Sequence, residues 1–267
     1  MVVNDLGGSV QGEGADAGPA EAVAAEISAA GGTAVADTHD VSTEDGATSL
    51  VGVALERFGR VDALVANAGI MRWARFPEVS EDDLAAHLAV HVGGSFLTAR
   101  AAWPHMAQQG SGRIVLTTSA GVFGLPANTA YATAKAAVIG LCRSLATAGE
   151  EHGIRVNCVA PAAATRMGAG TRAEAMDPSL VAPLVAYLAH PDCPVTGEAY
   201  SAGAGRFARL LLAETEGWVA ADGAATVEDV VGHWAAINDE SHLHVPADLV
   251  SWSRAFLSHL GPPGPRD

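Results

Sequence analysis

The 267-residue sequence is poor in basic residues. Fifteen Lys and Arg stand against 30 Asp and Glu, a formal net charge of −15. A phosphate-binding face needs a basic patch, so no nucleic-acid partner is expected, and an anionic membrane surface is disfavoured on the same ground. Cysteine is scarce too: Cys142, Cys158 and Cys193 are odd in number and form no Cys-x-x-Cys pair. A disulfide framework and a structural zinc site are therefore not expected. No apolar run approaches 18 residues, so no membrane span is expected. The opening MVVNDLGGSVQGEGADAG has neither the basic nor the apolar region of a signal peptide, and the closing Gly-Pro-Arg-Asp matches no address signal. A cytoplasmic protein is the expectation. The chain has no Gly-x-Ser-x-Gly elbow, against a Ser/His hydrolase. His242 and His244 form a pair without a carboxylate or cysteine cluster at ligand spacing, against a metal enzyme.

What is present is apolar: 49% of the residues, enough for a sizeable core. Short strand-like runs alternate with longer helical ones. Strands are predicted at Val2-Val3-Asn4, 33–37, 62–66, 113–118, 154–160 (stopped by Pro161) and 198–202. Helices are predicted at 19–30, 43–58, from Ser80 to about Gln109, 129–149 and 178–190. Gly31-Gly32 is a stop for the first helix, and Ser80 with Asp83 is a start signal. The alternation, with near-continuous apolar strands, implies a parallel sheet covered by helices on both faces. Beyond Gly205 the pattern changes. Residues 206–267 show no strand pattern and two predicted helices, 226–238 and 246–259. The predicted organisation is therefore an α/β domain over 1–205 and a helical extension over 206–267.

Lys135 is the only lysine; the other basic residues are arginine. It follows Tyr131 by four residues at the start of a predicted helix, so both side chains share one face. A phenol with a pKa near 10 is a poor acid or base at neutral pH, and an adjacent ammonium favours the phenolate. Ser119, at the end of the preceding strand, supplies a hydroxyl that can hold a carbonyl oxygen and stabilise developing alkoxide charge. This is equipment for moving a proton at an alcohol or carbonyl oxygen while a hydride moves at carbon. Tyr-x-x-x-Lys recurs by chance, and its weight here comes from its companions.

In order, Asn67-Ala68-Gly69 closing a strand, Ser119 after the next strand, Tyr131 and Lys135 opening the next helix, and Pro161 ending the strand after that resemble the short-chain dehydrogenases/reductases. These are nicotinamide-dependent Rossmann enzymes, and the resemblance covers about residues 1–205. It implies Tyr131 as general acid/base, Lys135 lowering its pKa and binding the nicotinamide ribose, and Ser119 orienting the substrate. Asn67, Ala68 and Gly69 would line the cofactor, Asp40 and Val41 would sit at the adenine, and Pro161 and Thr165 would flank the nicotinamide. Asp5 would accept hydrogen bonds from the adenosine ribose, favouring NAD over NADP. Val3–Gly8, His91–Phe96, Arg100–Trp103 and Val181–Val185 are similar to the (3R)-hydroxyacyl-CoA dehydrogenase unit of peroxisomal multifunctional enzymes and to bacterial 3-oxoacyl reductases. This implies an acyl thioester, such as an acyl-CoA, as small-molecule substrate. It also implies a homodimer or homotetramer through the helices carrying Ser80–Gln109 and Tyr131.

The sequence departs from that family in three ways. The Ser-to-Tyr spacing is one residue short, so Thr118 competes with Ser119 as the substrate-orienting hydroxyl. His91 stands where many members have a catalytic Asn, and is taken as a catalytic residue here. The opening strand and its Gly-rich pyrophosphate turn are missing. Gly12-Glu13-Gly14-Ala15-Asp16-Ala17 fits G-x-G-x-x-A, but it lies too far past Asp5 and sets two carboxylates against a pyrophosphate. Met1–Asp5 then corresponds to the second strand. The expected fold is a Rossmann-like doubly wound sheet lacking its first, central strand. Such a strand of about five apolar residues would contribute on the order of 8–15 kcal/mol, comparable with the roughly 5–15 kcal/mol of a whole domain. The chain by itself is thus expected to fold poorly or rearrange, with a reading frame beginning about 30–40 residues upstream, an extent set by typical element lengths. The alternative is a remnant without catalysis, acting only through assembly.

Overall fold

Five short apolar runs, each leading into a polar or glycine-bearing turn, form the strands that carry the candidate site. The structure is a computed structural model that describes residues 1–165, 167, 174–220 and 223–260. The closing Gly-Pro-Arg-Asp lies outside the described residues. Strands β1 (Val2–Asn4) and β2 (Val35–Asp37) pair in parallel, with Val2 opposite Val35. Helix α1 (Gly18–Ala29) connects them, and helix α2 (Glu44–Phe58) follows. Then come β3 (Ala63–Ala66), α3 (Glu81–His87), a π-helical segment (Leu88–Gly93) and α4 (Gly94–Gln109). Strand β4 (Gly112–Thr117) leads through a 3₁₀ turn into α5 (Thr129–Gly149), and β5 (Ile154–Pro161) leads through α6 (Ala182–Leu188) to β6 (Ala199–Gly203) and β7 (Arg206–Leu210).

The sheet is in two pieces. One holds β1 and β2; the other runs β3-β4-β5-β6-β7. The pairs β3–β4, β4–β5 and β5–β6 are parallel. All six residues of β4 are buried, as expected of a strand covered on both faces. Strand β3 is different: Val65 is 44% exposed, and the edge away from β4 has no ladder partner among the described residues. This is the arrangement expected of a doubly wound sheet without its central strand. The two pieces are joined through helices and a loop. Helix α2 packs on β1 and on α4, while α4 packs on β3. In the loop after β1, the Val10 carbonyl accepts from Met71 N at 2.8 Å and the Gln11 carbonyl from Arg72 Nε at 2.9 Å.

Helix boundaries follow local chemistry. Thr43 caps α2 by accepting from Gly46 N, and Gly59 ends it in the left-handed region. Ser80 and Asp83 form a reciprocal capping box at α3. Two expectations change in detail. The strand predicted to stop before Pro161 includes it, because proline is tolerated at a strand end where its missing N–H costs no ladder bond. The predicted helix over 178–190 begins as a separate 3₁₀ turn, Pro178–Leu180, ahead of α6.

The chain divides into two units, Met1–Arg209 and Leu210–Asp267. The second holds α7 (Val227–Gly232), α8 (Trp234–Ile237) and α9 (Leu249–Phe256). The predicted helix over 226–238 is thus broken at His233, whose ring stacks on Trp218 with centroids 4.0 Å apart. The reading of 206–267 as strand-free is corrected. Besides β7 there is an antiparallel pair, β8 (Glu214–Thr215) with β9 (Leu243–His244). Two-residue strands are too short to leave an alternation in sequence. Strand β7 follows β6 through Ala204-Gly205, both at positive φ, the geometry of a two-residue hairpin turn.

Candidate active site

The C-terminal ends of parallel strands collect the turns that follow them, and these turns hold most of the residues singled out in the sequence. Asn67-Ala68-Gly69 follows β3, Thr118 and Ser119 follow β4, and Pro161 ends β5. Helix α5 begins at Thr129 and carries Tyr131 and Lys135 one turn apart. Asp5 follows β1, and Asp40-Val41 follow β2, on the other piece of the sheet.

The two candidate hydroxyls separate cleanly. Thr118 is buried, and its Oγ1 donates to the Lys135 carbonyl at 2.7 Å. Ser119 is half-buried; its Oγ accepts from Gly121 N at 3.0 Å, and it flanks Gly121 together with Tyr131, a Cβ on that glycine lying 3.2 Å from Ser119 Oγ and 3.0 Å from Tyr131 Cε1. Ser119 is therefore the hydroxyl that meets the tyrosine, while Thr118 fastens the lysine's backbone. Lys135 is 3% exposed; its ammonium donates to the Thr117 carbonyl at 2.8 Å and lies 5.7 Å from the Tyr131 ring centre. Burial pulls its pKa down to about 8, with the Cys158 thiol opposing. Burial raises the Tyr131 pKa, and the neighbouring Ser119 hydroxyl acts against it. The resemblance implied a Tyr131 pKa lowered by Lys135; here the phenol form is favoured instead, because loss of water around the ring dominates.

His91 sits in the π-helical segment, 1% exposed. Segments of this kind are rare and gather at functional sites. Its Nε2 lies 2.9 Å from the Ile70 carbonyl, an acceptor, so that nitrogen carries the proton. Nδ1 is buried with no partner. Burial first, then the charge of Lys135, lower its pKa to about 3, so the imidazole is neutral. Its ring stands edge-on to Tyr131 with centroids 5.3 Å apart. Gly69 is required by this placement: a Cβ there would lie 2.6 Å from His91 Cε1.

Sequence reasoning missed His87. It is fully buried, stacks on His91 at 5.8 Å and faces Tyr131 edge-on at 6.1 Å. Its Nδ1 donates to the Asp83 carbonyl, and its Nε2 accepts from Arg72 N. The four-residue step from His87 to His91 on one helix was the available signal.

The remaining predicted residues are placed as follows. Thr117 Oγ1 donates to Asn67 Oδ1 at 3.1 Å. Asp5 Oδ1 accepts from Gly7 N, and Asp40 Oδ1 accepts from Ser42 N and its hydroxyl. Val41 touches the position a Cβ on Gly94 would take. Thr165 is exposed, and its Oγ1 accepts from Met167 N. No cluster of three metal-ligating side chains occurs among the described residues, and no described helix is long and apolar enough to cross a membrane.

A family model described as short chain dehydrogenase matches residues 6–175. A protein of Mycobacterium tuberculosis named as a short-chain type dehydrogenase/reductase is 42% identical over 90% of this chain and 86% of its own. Mouse peroxisomal multifunctional enzyme type 2 is 39% identical over 93% of this chain, which spans about a third (34%) of that protein. A 3-oxoacyl-[acyl-carrier-protein] reductase of Synechocystis is 39% identical over 53% of this chain and 58% of its own. Among solved structures, a short chain dehydrogenase from Mycobacterium avium superposes with a TM-score of 0.77 at 31% identity, covering 89% of this chain and 87% of that one.

Proposed function

Because the chain belongs to the short-chain dehydrogenase/reductase family of oxidoreductases, we propose that it interconverts a secondary alcohol and a ketone on a 3-hydroxyacyl/3-oxoacyl thioester, with NAD as cofactor. The observation that carries this reading is the apposition of Ser119 and Tyr131 on either side of Gly121, with the ammonium of the buried Lys135 5.7 Å from the tyrosine ring centre. In it, Ser119 holds the substrate oxygen and Tyr131 exchanges a proton with that oxygen. For ketone reduction the neutral phenol is the form required, and burial favours it. Lys135, the compact cation of the site, offsets the negative charge left on the phenolate as the proton leaves. His91 is neutral and keeps Tyr131 seated by its ring edge.

A nicotinamide supplies the hydride when bound. The residues that would hold its nicotinamide and ribose end are Asn67, Ala68, Gly69, Tyr131, Lys135, Pro161 and Thr165. The donor chemistry fits there: Lys135 carries three N–H donors and Thr117 O takes one of them. Asp5, Asp40 and Val41 would hold the adenosine end, and the Asp5 carboxylate would repel a 2′-phosphate, which favours NAD over NADP. The open edges of β1 and β3 have no strand partner among the described residues. The second reading is a remnant that acts through assembly. In either case a second copy would dock on the face of α4 and α5, where Phe96, Trp103, Pro104 and Leu145 line an apolar groove.

The test is a Tyr131→Phe substitution, assayed with 3-oxoacyl thioesters while NADH binding is followed by fluorescence. Turnover is expected to fall by about 10²–10⁴-fold, the range for loss of a general acid, with NADH still bound and weakened by no more than about fivefold, the worth of one hydrogen bond. Unchanged turnover would remove Tyr131 from the chemistry. Absence of any NADH fluorescence change in the native protein would favour the remnant.

A further inference from the structure

The segment that follows Asn67-Ala68-Gly69 uses its main chain to fix two buried rings. His91 Nε2 lies 2.9 Å from the Ile70 carbonyl, and His87 Nε2 accepts from Arg72 N at 3.2 Å. On its other side, His87 Nδ1 donates to the Asp83 carbonyl at 2.7 Å, one turn back on α3. The segment is itself anchored, since the Val10 carbonyl accepts from Met71 N and the Gln11 carbonyl from Arg72 Nε. The two imidazole planes lie within 18° of parallel, and both stand across the Tyr131 ring, at 80° for His87 and 87° for His91. An apolar side chain would fill the place of His87 with no polar atoms to satisfy. The imidazole adds something packing does not need. With one nitrogen donating and the other accepting, only one orientation of the ring keeps both bonds. A half-turn would set carbon atoms against Asp83 O and Arg72 N.

We propose that His87 is a positioning residue for the reaction: its ring, tied to the main chain at both nitrogens, holds the Tyr131 phenol in register with the substrate oxygen. The inference rests on the oxidoreductase reading of Tyr131 and Ser119, and in it His87 acts only through the tyrosine. The need for such a holder comes from where Tyr131 stands. It is the third residue of α5, and Asn128 makes no side-chain cap bond to that helix. The first turn of a helix lacks intrahelical partners for its N–H groups, so an uncapped start takes its rigidity from neighbours. Helix α3 is the neighbour that packs on α5 here, and it carries His87, fully buried, to within 6.1 Å of the tyrosine ring centre. Proton transfer asks for heavy atoms about 2.6–3.2 Å apart. A displacement of about 1 Å costs on the order of 10²-fold.

The experiment measures NADH-dependent reduction of the acetoacetyl thioester of N-acetylcysteamine, with NADH binding followed by fluorescence. His87→Gln removes the ring and is expected to lower kcat about 10–100-fold, with NADH affinity held within about twofold, the split expected when only the chemical step is touched. His87→Phe keeps a ring, loses its anchors and is expected to fall between. The decisive arm is the double substitution. In a Tyr131→Phe background His87→Gln is expected to cost nothing further, because both changes remove the same proton transfer. Losses that multiply show a general structural role, overturn the positioning role and leave the oxidoreductase reading standing. Unchanged turnover in Tyr131→Phe alone sinks that reading and the positioning role with it. A measurement on the unsubstituted protein keeps the proposal exposed should the variants fail to fold. Nitrogen-15 spectra of its histidines are expected to show His87 with the proton on Nδ1. A proton on Nε2 would deny Arg72 N its acceptor and overturn the anchoring outright.

Discussion

At the scale of single residues, the site is governed by burial of groups that can carry charge. His91 has a folded pKa of about 3, below the usual 6.5. Between those values the unfolded chain binds the proton more readily, so the unfolding free energy rises with pH across the window. The stabilisation is complete above pH 6.5 and is lost as pH falls toward 3. His91→Asn is expected to flatten the acid limb of a urea-stability profile between pH 6.5 and 4; an unchanged slope would assign the acid loss to other groups. Lys135 behaves in parallel at the alkaline end. With its folded pKa at about 8 against 10.5 unfolded, it penalises folding below pH 8 and the penalty falls as pH rises toward 10.5. Gly69 is the steric counterpart. A Cβ 2.6 Å from the His91 ring cannot be accommodated by a small shift, because Ile70 O fixes that ring. Gly69→Ala is expected to cost about 1–3 kcal/mol, the range for overpacking, read from the denaturation midpoint. A smaller loss would mean that the π-helical segment yields.

At the scale of elements, the sequence was most legible where a period and a cap agree. Ser80 marked the start of α3 and makes the cap bond there, and the helix predicted over 43–58 begins at Thr43, whose side chain proves to cap α2. The order of strands and the turns carrying Asn67, Ser119 and Tyr131 followed from apolar runs and turn residues. What stayed hidden depends on contacts distant in sequence. The choice between Ser119 and Thr118 turns on which face of one strand end meets α5, and a one-residue change in spacing leaves that undecided. His87 reads as one more helical histidine until the loop after β3 brings Arg72 N to it. The π-helical segment has no side-chain signature, since it differs from an α-turn by one residue of hydrogen-bond register. Strands β8 and β9 are too short to show a period. One element-scale outcome follows from the capping box. Ser80→Ala removes the acceptor of Asp83 N at 3.0 Å and is expected to cost about 0.5–2 kcal/mol. Because His87 accepts from Arg72 N on the same helix, amide exchange at Arg72 is expected to quicken together with the first turn of α3. Quickening confined to that first turn would show that His87 is held independently of the cap.

At the scale of the whole molecule, stability is unevenly distributed because the sheet is divided. Strands β4 and β5 share six paired positions, lie between helices and are buried almost throughout. Strands β1 and β2 form a sheet of only two members, three residues each, all but Asp37 partly exposed. Two-stranded sheets are marginal without further packing. Here the packing comes from α1, α2 and the bond between Val10 and Met71. Opening the β1–β2 piece therefore leaves the β3–β7 sheet intact, whereas opening β4 destroys it. Native-state hydrogen exchange resolves this difference, since local and global openings have separate free energies. Amides of β4 and β5 are expected to exchange only by global unfolding. The Val35 and Asp5 amides, which bond across the β1–β2 pair at 3.0 and 3.1 Å, are expected to exchange about 10–100-fold faster, a free-energy difference of about 1.4–2.8 kcal/mol. The same contrast bears on function. Asp5, Asp40 and Val41 sit on the weaker piece, while Ser119, Tyr131 and Lys135 sit on the stronger one. A nicotinamide dinucleotide engaging both would bind only with the weaker piece closed, and so would slow exchange at β1 and β2 selectively. Titration with NADH during exchange is expected to protect Val35 and Asp5 before any change at β4. Equal protection of both pieces would instead show one cooperative unit, and the division of the sheet would carry no energetic weight.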